Sequence, residues 1–190
     1  MKKRWVALLV VIVVFLICCV VGYIDQDIKY PQVQYRTYTM HEPFDLSGYE
    51  FEVEDAKTYD FKKFAQEHSL TLAELNLDVE KNNMQVLMVK VKATNVSSEP
   101  KSLNFSQLMI SSKDKANVLE LVTFMQLHDD YSDILCPTLQ PQESAEIELP
   151  FVESGIYWGV TTGDILDEVP LQVVFKLYPE KFAVRLNDLW

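Results

Sequence analysis

From Trp5 to Ile24 the chain runs for 20 residues without a charge, "WVALLVVIVVFLICCVVGYI". A helix rises about 1.5 Å per residue, so this length spans roughly 30 Å, the thickness of a bilayer's hydrocarbon core. A helix that is apolar all round has no side to show to water, which sets it apart from the surface helices of a small soluble domain. Lys2, Lys3 and Arg4 precede the run; Asp25 and Asp27 follow it. Basic flanks stay in the cytoplasm, so the run predicts an anchor with the N-terminus inside and the folded part outside. Two other readings stay open. A cleaved signal peptide wants a shorter apolar core and small residues at the cut. Val20-Val21-Gly22 meets that poorly, and no A-x-A follows. A lipid-carrying Cys would want a small residue before it, but Cys18 follows Ile17 and Cys19 follows Cys18.

All 28 acidic residues lie after the run, with 14 of the 17 basic ones, so the rest of the chain carries −14. Such a surface repels nucleic acid and anionic headgroups. Cys18 and Cys19 sit in the apolar run, and only Cys136 remains beyond it. An internal disulfide outside the anchor is therefore excluded, and with it a disulfide-stapled scaffold. A domain of about 150 residues is large enough to stand on its own core.

Residues 25–40 read as a polar, Tyr-rich spacer, in which Val33, Tyr35 and Thr37 alternate and allow a strand. Beyond it Phe44 and Leu46 alternate, as do Tyr49, Phe51 and Val53 with Glu50, Glu52 and Glu54 between them. Period two with charged partners predicts a half-buried strand. Phe61, Phe64, Ala65 and His68 fall at helical spacing. Thr71 and Glu74 form a capping box with Leu70 and Leu75 as its staple, predicting a second short helix. Met84 to Asn95 is the strongest strand. Leu87, Val89, Val91 and Ala93 make one apolar face, while Val86, Met88, Lys90 and Lys92 make a face that begins apolar and ends charged. Strands are also predicted over 105–111, "SAEIELPFV", "PLQVVFKLYP" and "KFAVRL"; "ANVLELVTFMQL" fits strand or helix. Seven or eight strands without a βαβ rhythm predict an antiparallel two-sheet sandwich.

Four segments carry a resemblance: "MHEPFDLSGYEFEVEDA", "VLMVKVKATNVSSEPKSLNFSQLMI", "LQPQESAEIELPF" and "KLYPEKFAVRL". Together, over about residues 40–187, they resemble the membrane-anchored immunoglobulin-like extracytoplasmic domains of unknown function of Gram-positive bacteria. In that group a strand ends in an Asn-rich turn, like Asn95-Val96-Ser97-Ser98. A loop of the form L-x-P-x-E leads to a strand ending in Pro-Phe, like Leu139 to Glu143 and Pro150-Phe151. The usual Gly after the loop's Pro is here Gln142. The resemblance implies an immunoglobulin-like fold and a place outside the membrane, and no reaction.

Catalytic patterns are weak. Ser98-Glu99-Pro100-Lys101 and Ser112-Lys113-Asp114-Lys115 match S-x-x-K, but in hairpin settings and without the companion motifs. Cys136 has no sequence tie to His41, His68 or His128, and reads as a buried, inert thiol. His128, Asp129, Asp130, Tyr131 and Asp133 make an acidic stretch that lacks zinc spacing and the alternation of a calcium loop. It is the candidate interaction loop, suited to a cationic partner. Tyr131, Tyr157 and Trp158 are candidates for an aromatic platform.

The reading is a mainly β chain in three parts: a basic tip and transmembrane anchor over 1–24, a polar spacer over 25–40, and an immunoglobulin-like sandwich with one or two short helices over 41–190. Its expected role is a single-pass, extracytoplasmic binding module of the cell envelope. Expected partners are the membrane through residues 5–24 and a protein or envelope ligand, with no nucleic acid, no cofactor and no metal. An envelope hydrolase or an accessory subunit of a membrane assembly is the alternative.

Overall fold

The computed structural model describes residues 2–30, 33–71, 83–128 and 130–190, the side chains of 2–11 and 27 excepted. Helix α1 (Lys2–Lys29) carries the apolar run on a continuous backbone and continues past it, where Lys29 Nζ reaches Asp25 at 2.7 Å. Among the described residues no helix is long and apolar enough to cross a membrane; the described side chains begin at Ile12, partway along the run.

Among the described residues the strands that follow form three sheets. Strands β1 (Gln34–Thr39), β11 (Glu180–Arg185), β10 (Gln172–Lys176), β6 (Met109–Ser112) and β7 (Lys115–Val118) lie in that order in a five-stranded sheet. Strands β2 (Phe44–Leu46), β3 (Tyr49–Asp60), β4 (Met84–Asn95) and β9 (Ser144–Ser154) form a four-stranded sheet. Strands β5 (Lys101–Ser102) and β8 (Thr138–Leu139) pair separately. Among the described residues five short α-helices lie in the connections: α2 (Phe61–Glu67), α3 (Leu121–Leu127), α4 (Tyr131–Leu135), α5 (Gly155–Trp158) and α6 (Ile165–Glu168). The chain is thus mainly β, with several sheets and a few helices.

Alternation explains the main core. Tyr49, Phe51 and Val53 of β3, the odd-numbered residues 87–93 of β4 and Ile147, Leu149 and Phe151 of β9 are buried in one cluster with Ile110, Val173, Phe182 and Val184 of the other large sheet. The two large sheets therefore share one apolar interior. At its end toward β1, Phe44 stacks on Tyr38 at 4.5 Å and meets Phe175 edge-on at 5.1 Å. Strand β4 also shows why its second face changes character. Met84 and Val86 are covered by Phe61, Phe64 and Ala65 of α2, whereas Lys90 lies beyond the helix and pairs with Glu54 and Glu146 at 2.7 and 2.8 Å. The α2 spacing read from the sequence holds, with His68 as its C-cap packed at a tilt against the Phe64 ring. The capping box at Thr71 and Glu74 runs into residues 72–82, outside the described residues.

Two expectations change, and one reading left open is resolved. The pairing is not wholly antiparallel: β1 runs parallel to β11 in register Gln34↔Glu180. A hairpin forces antiparallel neighbours, but these two strands are joined through the whole domain, so nothing in the connection imposes that sense. The same strand lies within the polar stretch 25–40, so the β unit begins at Gln34 rather than at His41. The segment "ANVLELVTFMQL" is both strand and helix, divided between β7 and α3 at Leu119-Glu120, where Glu120 caps α3 through Val122 N–H. Gln142, where the resembled family has Gly, stands at φ 65°, the left-handed region that favours glycine.

Candidate functional site

Inward positions of β9 read Ile147, Leu149, Phe151 and then Glu153. The first three are core residues; the fourth places a carboxyl group in the same inward row, with no exposed surface at all. A buried carboxylate is costly unless hydrogen bonds replace its water. Two do so at one oxygen. The indole Nε1 of Trp158 donates to Oε2 at 2.5 Å, and Asn117 Nδ2 donates to the same oxygen at 3.2 Å. The other oxygen, Oε1, is buried with no hydrogen-bond partner among the described residues. Burial pushes the Glu153 carboxyl up to about 7, against the pull of the bonds from Trp158 and Asn117.

Local structure holds these donors in place. Asn117 belongs to β7, the edge of the five-stranded sheet, and its amide also donates to Val152 O at 3.1 Å, tying that edge to β9. Trp158 ends α5, which starts at Gly155, directly after β9. A Cβ at Gly155 would stand 2.4 Å from Val160 O and 2.5 Å from Asn83 Nδ2, so only glycine lets the chain turn there. Gly159 then closes the helix at φ 89°. The result is an open cleft of about 450 Å³ where the edges of the two large sheets meet, lined by Met84, Ala116, Asn117, Val152, Glu153, Ser154 and Tyr157. Tyr157 forms its rim, about half exposed, with its hydroxyl donating to Ala116 O at 3.2 Å. Lys115 Nζ lies over that ring at 5.6 Å and donates to Tyr157 O at 2.6 Å.

Apolar walls around one carboxyl with a free acceptor suit a ligand with an apolar body and an N–H or O–H donor. The group titrates near neutrality, so it either accepts a hydrogen bond or donates one.

The residues singled out in the sequence lie elsewhere or behave otherwise. Asp130 and Asp133 are exposed, at the N-cap and in the first turn of α4; Tyr131 opens that helix at 38 % exposure. His128 caps the end of α3 and packs on Phe124 at 4.6 Å, which is a structural contact. Asp129 lies outside the described residues. Among the described residues no group of three or more His, Cys, Asp or Glu is placed to hold a metal. The aromatic platform does not form as expected: Trp158 is buried on Glu153, and Tyr157 meets it edge-on at 5.1 Å. Cys136 is exposed, not a core thiol. Leu135, its neighbour, takes the buried position at the end of α4, which turns Cys136 outward as the C-cap. Glu153 was overlooked, although its signal was present: a charged residue in the inward register of a strand whose three preceding inward positions are Ile, Leu and Phe.

The molecule is thus mainly β, with several sheets and a cleft where the edges of the two large ones meet. The chain belongs to the family described as Domain of unknown function (DUF5028), whose model matches residues 32–181. Among curated proteins nothing matches it. Solved structures similar to it include a conserved hypothetical protein from Bacillus anthracis, at 15 % identity over 72 % of this chain and 88 % of that one, with a TM-score of 0.47. The yjhA protein from Bacillus subtilis is similar at 13 % identity over 79 % of this chain and 99 % of that one, TM-score 0.47. An uncharacterized beta-sandwich protein from Clostridium difficile 630 is similar at 7 % identity over 82 % and 97 %, TM-score 0.46.

Proposed function

We propose that the chain is a single-pass, membrane-anchored binding module, with an immunoglobulin-like sandwich outside the membrane and a ligand site in the cleft over Glu153. The anchoring half of this reading is supported by the charge-free run Trp5 to Ile24 behind Lys2, Lys3 and Arg4. The observation that carries the binding half is the Glu153 carboxyl, fully buried in a residue that borders the cleft, with Oε1 unpartnered among the described residues. Native proteins rarely leave such a group without a hydrogen bond, so an orphan beside a cleft marks a place for one. Because Glu153 itself has no exposed surface, a ligand reaches it by displacing a wall side chain. Tyr157, half exposed and held by one side-chain hydrogen bond, is the one with room to move.

Butyramide, an apolar chain ending in N–H donors, is a direct probe. Titrated into the full-length protein in detergent, it should shift the Trp158 indole N–H resonance saturably at millimolar concentration, the range expected of so small a ligand. The Trp190 indole should not move. Glu153→Ala should abolish the Trp158 response while the protein keeps its fold. A Trp158 signal that never responds, or one that responds equally in Glu153→Ala, would remove the cleft from this account.

A further inference from the structure

The first residue of β1 and the turn between β10 and β11 lie side by side. Gln34 N–H donates to Pro179 O at 3.3 Å, and Gln34 is in register with Glu180. Only residues 30–33 separate the end of α1 from β1. Even fully extended, the five steps from Lys29 to Gln34 span no more than about 18 Å. Whatever holds α1 therefore holds this end of the five-stranded sheet close by.

The surface there has a distinct composition. Leu177 and Tyr178 of the turn are about half exposed, and Tyr30 and Tyr35 are nearly three-quarters exposed. Lys176 and Lys181 flank the turn, with Lys181 Nζ over the Tyr35 ring at 5.8 Å. Arg36 lies over Phe182 at 5.7 Å and pairs with Glu180 at 3.0 Å. In a chain of net charge −11, cations gathered around exposed tyrosines and a leucine form a local exception. Tyrosine with lysine or arginine is the mixture that sits at the level of lipid headgroups, rings toward the acyl boundary and charges toward phosphate. An anionic surface attracts juxtamembrane cations, which sets the orientation of a domain beside a fixed anchor.

We propose that this end of the sheet is a membrane-facing surface: Leu177 and Tyr178 enter the headgroup region of the bilayer that holds α1, with Tyr30 and Tyr35 beside them and Lys176 and Lys181 at the phosphates. The inference rests on the anchoring reading above. It orients the domain, because the β6–β7 turn at Lys113 and Asp114 lies at the opposite end of the same sheet, following the register Ser112↔Lys115 and Ser111↔Gln172↔Arg185.

The test uses the full chain in vesicles of phosphatidylcholine with phosphatidylglycerol. Cys18, Cys19 and Cys136 are replaced by Ser, and one fluorophore is attached at Tyr178→Cys or at Asp114→Cys. Nitroxide carried on the lipid headgroup should quench the label at 178 several-fold more than the label at 114. Adding Leu177→Asp to the first protein should bring its quenching down to the level of the second. Equal quenching at both positions, in protein that alkaline carbonate leaves in the membrane, overturns the membrane-facing surface and leaves the anchor standing. Release of the chain by carbonate overturns the anchor, and this inference with it.

Discussion

Asn95→Ala should lower the unfolding free energy by about 3 kcal/mol, a shift of several degrees in Tm for a domain of this size. Asn95 is the last residue of β4 and is fully buried. Its side-chain amide donates to Glu99 O at 2.8 Å and to Leu139 O at 2.9 Å. Its carbonyl oxygen accepts from Ser97 N at 3.0 Å and from Ser97 Oγ at 2.7 Å. The backbone joins in, donating to Glu143 O and accepting from Gln142 N. One side chain thus ties the turn after β4 to the loop before β9. Alanine removes four bonds and leaves buried groups without partners, which costs more than the bonds alone. Denaturant unfolding of wild type and variant reads the difference. A loss below about 1 kcal/mol would mean that water or a local shift replaces the side chain.

Glu153→Gln should remove a pH dependence that wild type shows between about pH 4.5 and 7. The carboxyl is raised from an ordinary 4.5 to about 7 by burial. The folded chain therefore keeps this proton to a higher pH than the unfolded chain does. The stability linked to it is fully present below 4.5 and is lost as pH rises through 7. A shift of that size corresponds to about 3 kcal/mol at the plateau. Other carboxylates act in the opposite sense. Hydrogen bonds from Lys57 and from Lys90 hold Asp55 and Glu146 below their usual range, so their contribution is lost on acidification. Both proteins share those groups, so the difference between wild type and Glu153→Gln isolates residue 153. The variant should match wild type within about 1 kcal/mol at pH 4.5 and exceed it above pH 7. Parallel stability curves across that range would show that Glu153 ionises freely in the folded protein.

Strand identity was legible wherever one period dominated. The inward row Tyr49, Phe51, Val53 and the two unlike faces of β4 follow from burial on alternate sides, and both appear in the sequence as written. Pairing was less legible. The parallel match of β1 with β11 depends on residues at the two ends of the domain, and no local pattern encodes it. At Cys136 the sequence reading followed the usual burial of thiols, whereas helix α4 ends there and buries Leu135 instead. The candidate site was the hardest part. Glu153 draws its properties from Trp158, five residues on, and from Asn117 on another sheet. Its inward register was visible, but its partners were not. The acidic stretch around His128 drew notice through composition, yet Asp130 and Asp133 are exposed there and His128 packs on a ring.

The exposed thiol of Cys136 offers the most direct test of the claim that the sandwich stands outside the membrane. Intact cells making the unaltered full-length chain are treated with a charged maleimide that does not cross membranes, then lysed, and the mass of the protein is read. Cys18 and Cys19, within the apolar run, should stay unmodified, and Cys136→Ser should abolish the signal. The account predicts one added label at Cys136 in intact cells, as complete as in lysed ones. A Cys136 that is labelled only after lysis would place the domain on the inner side and contradict it.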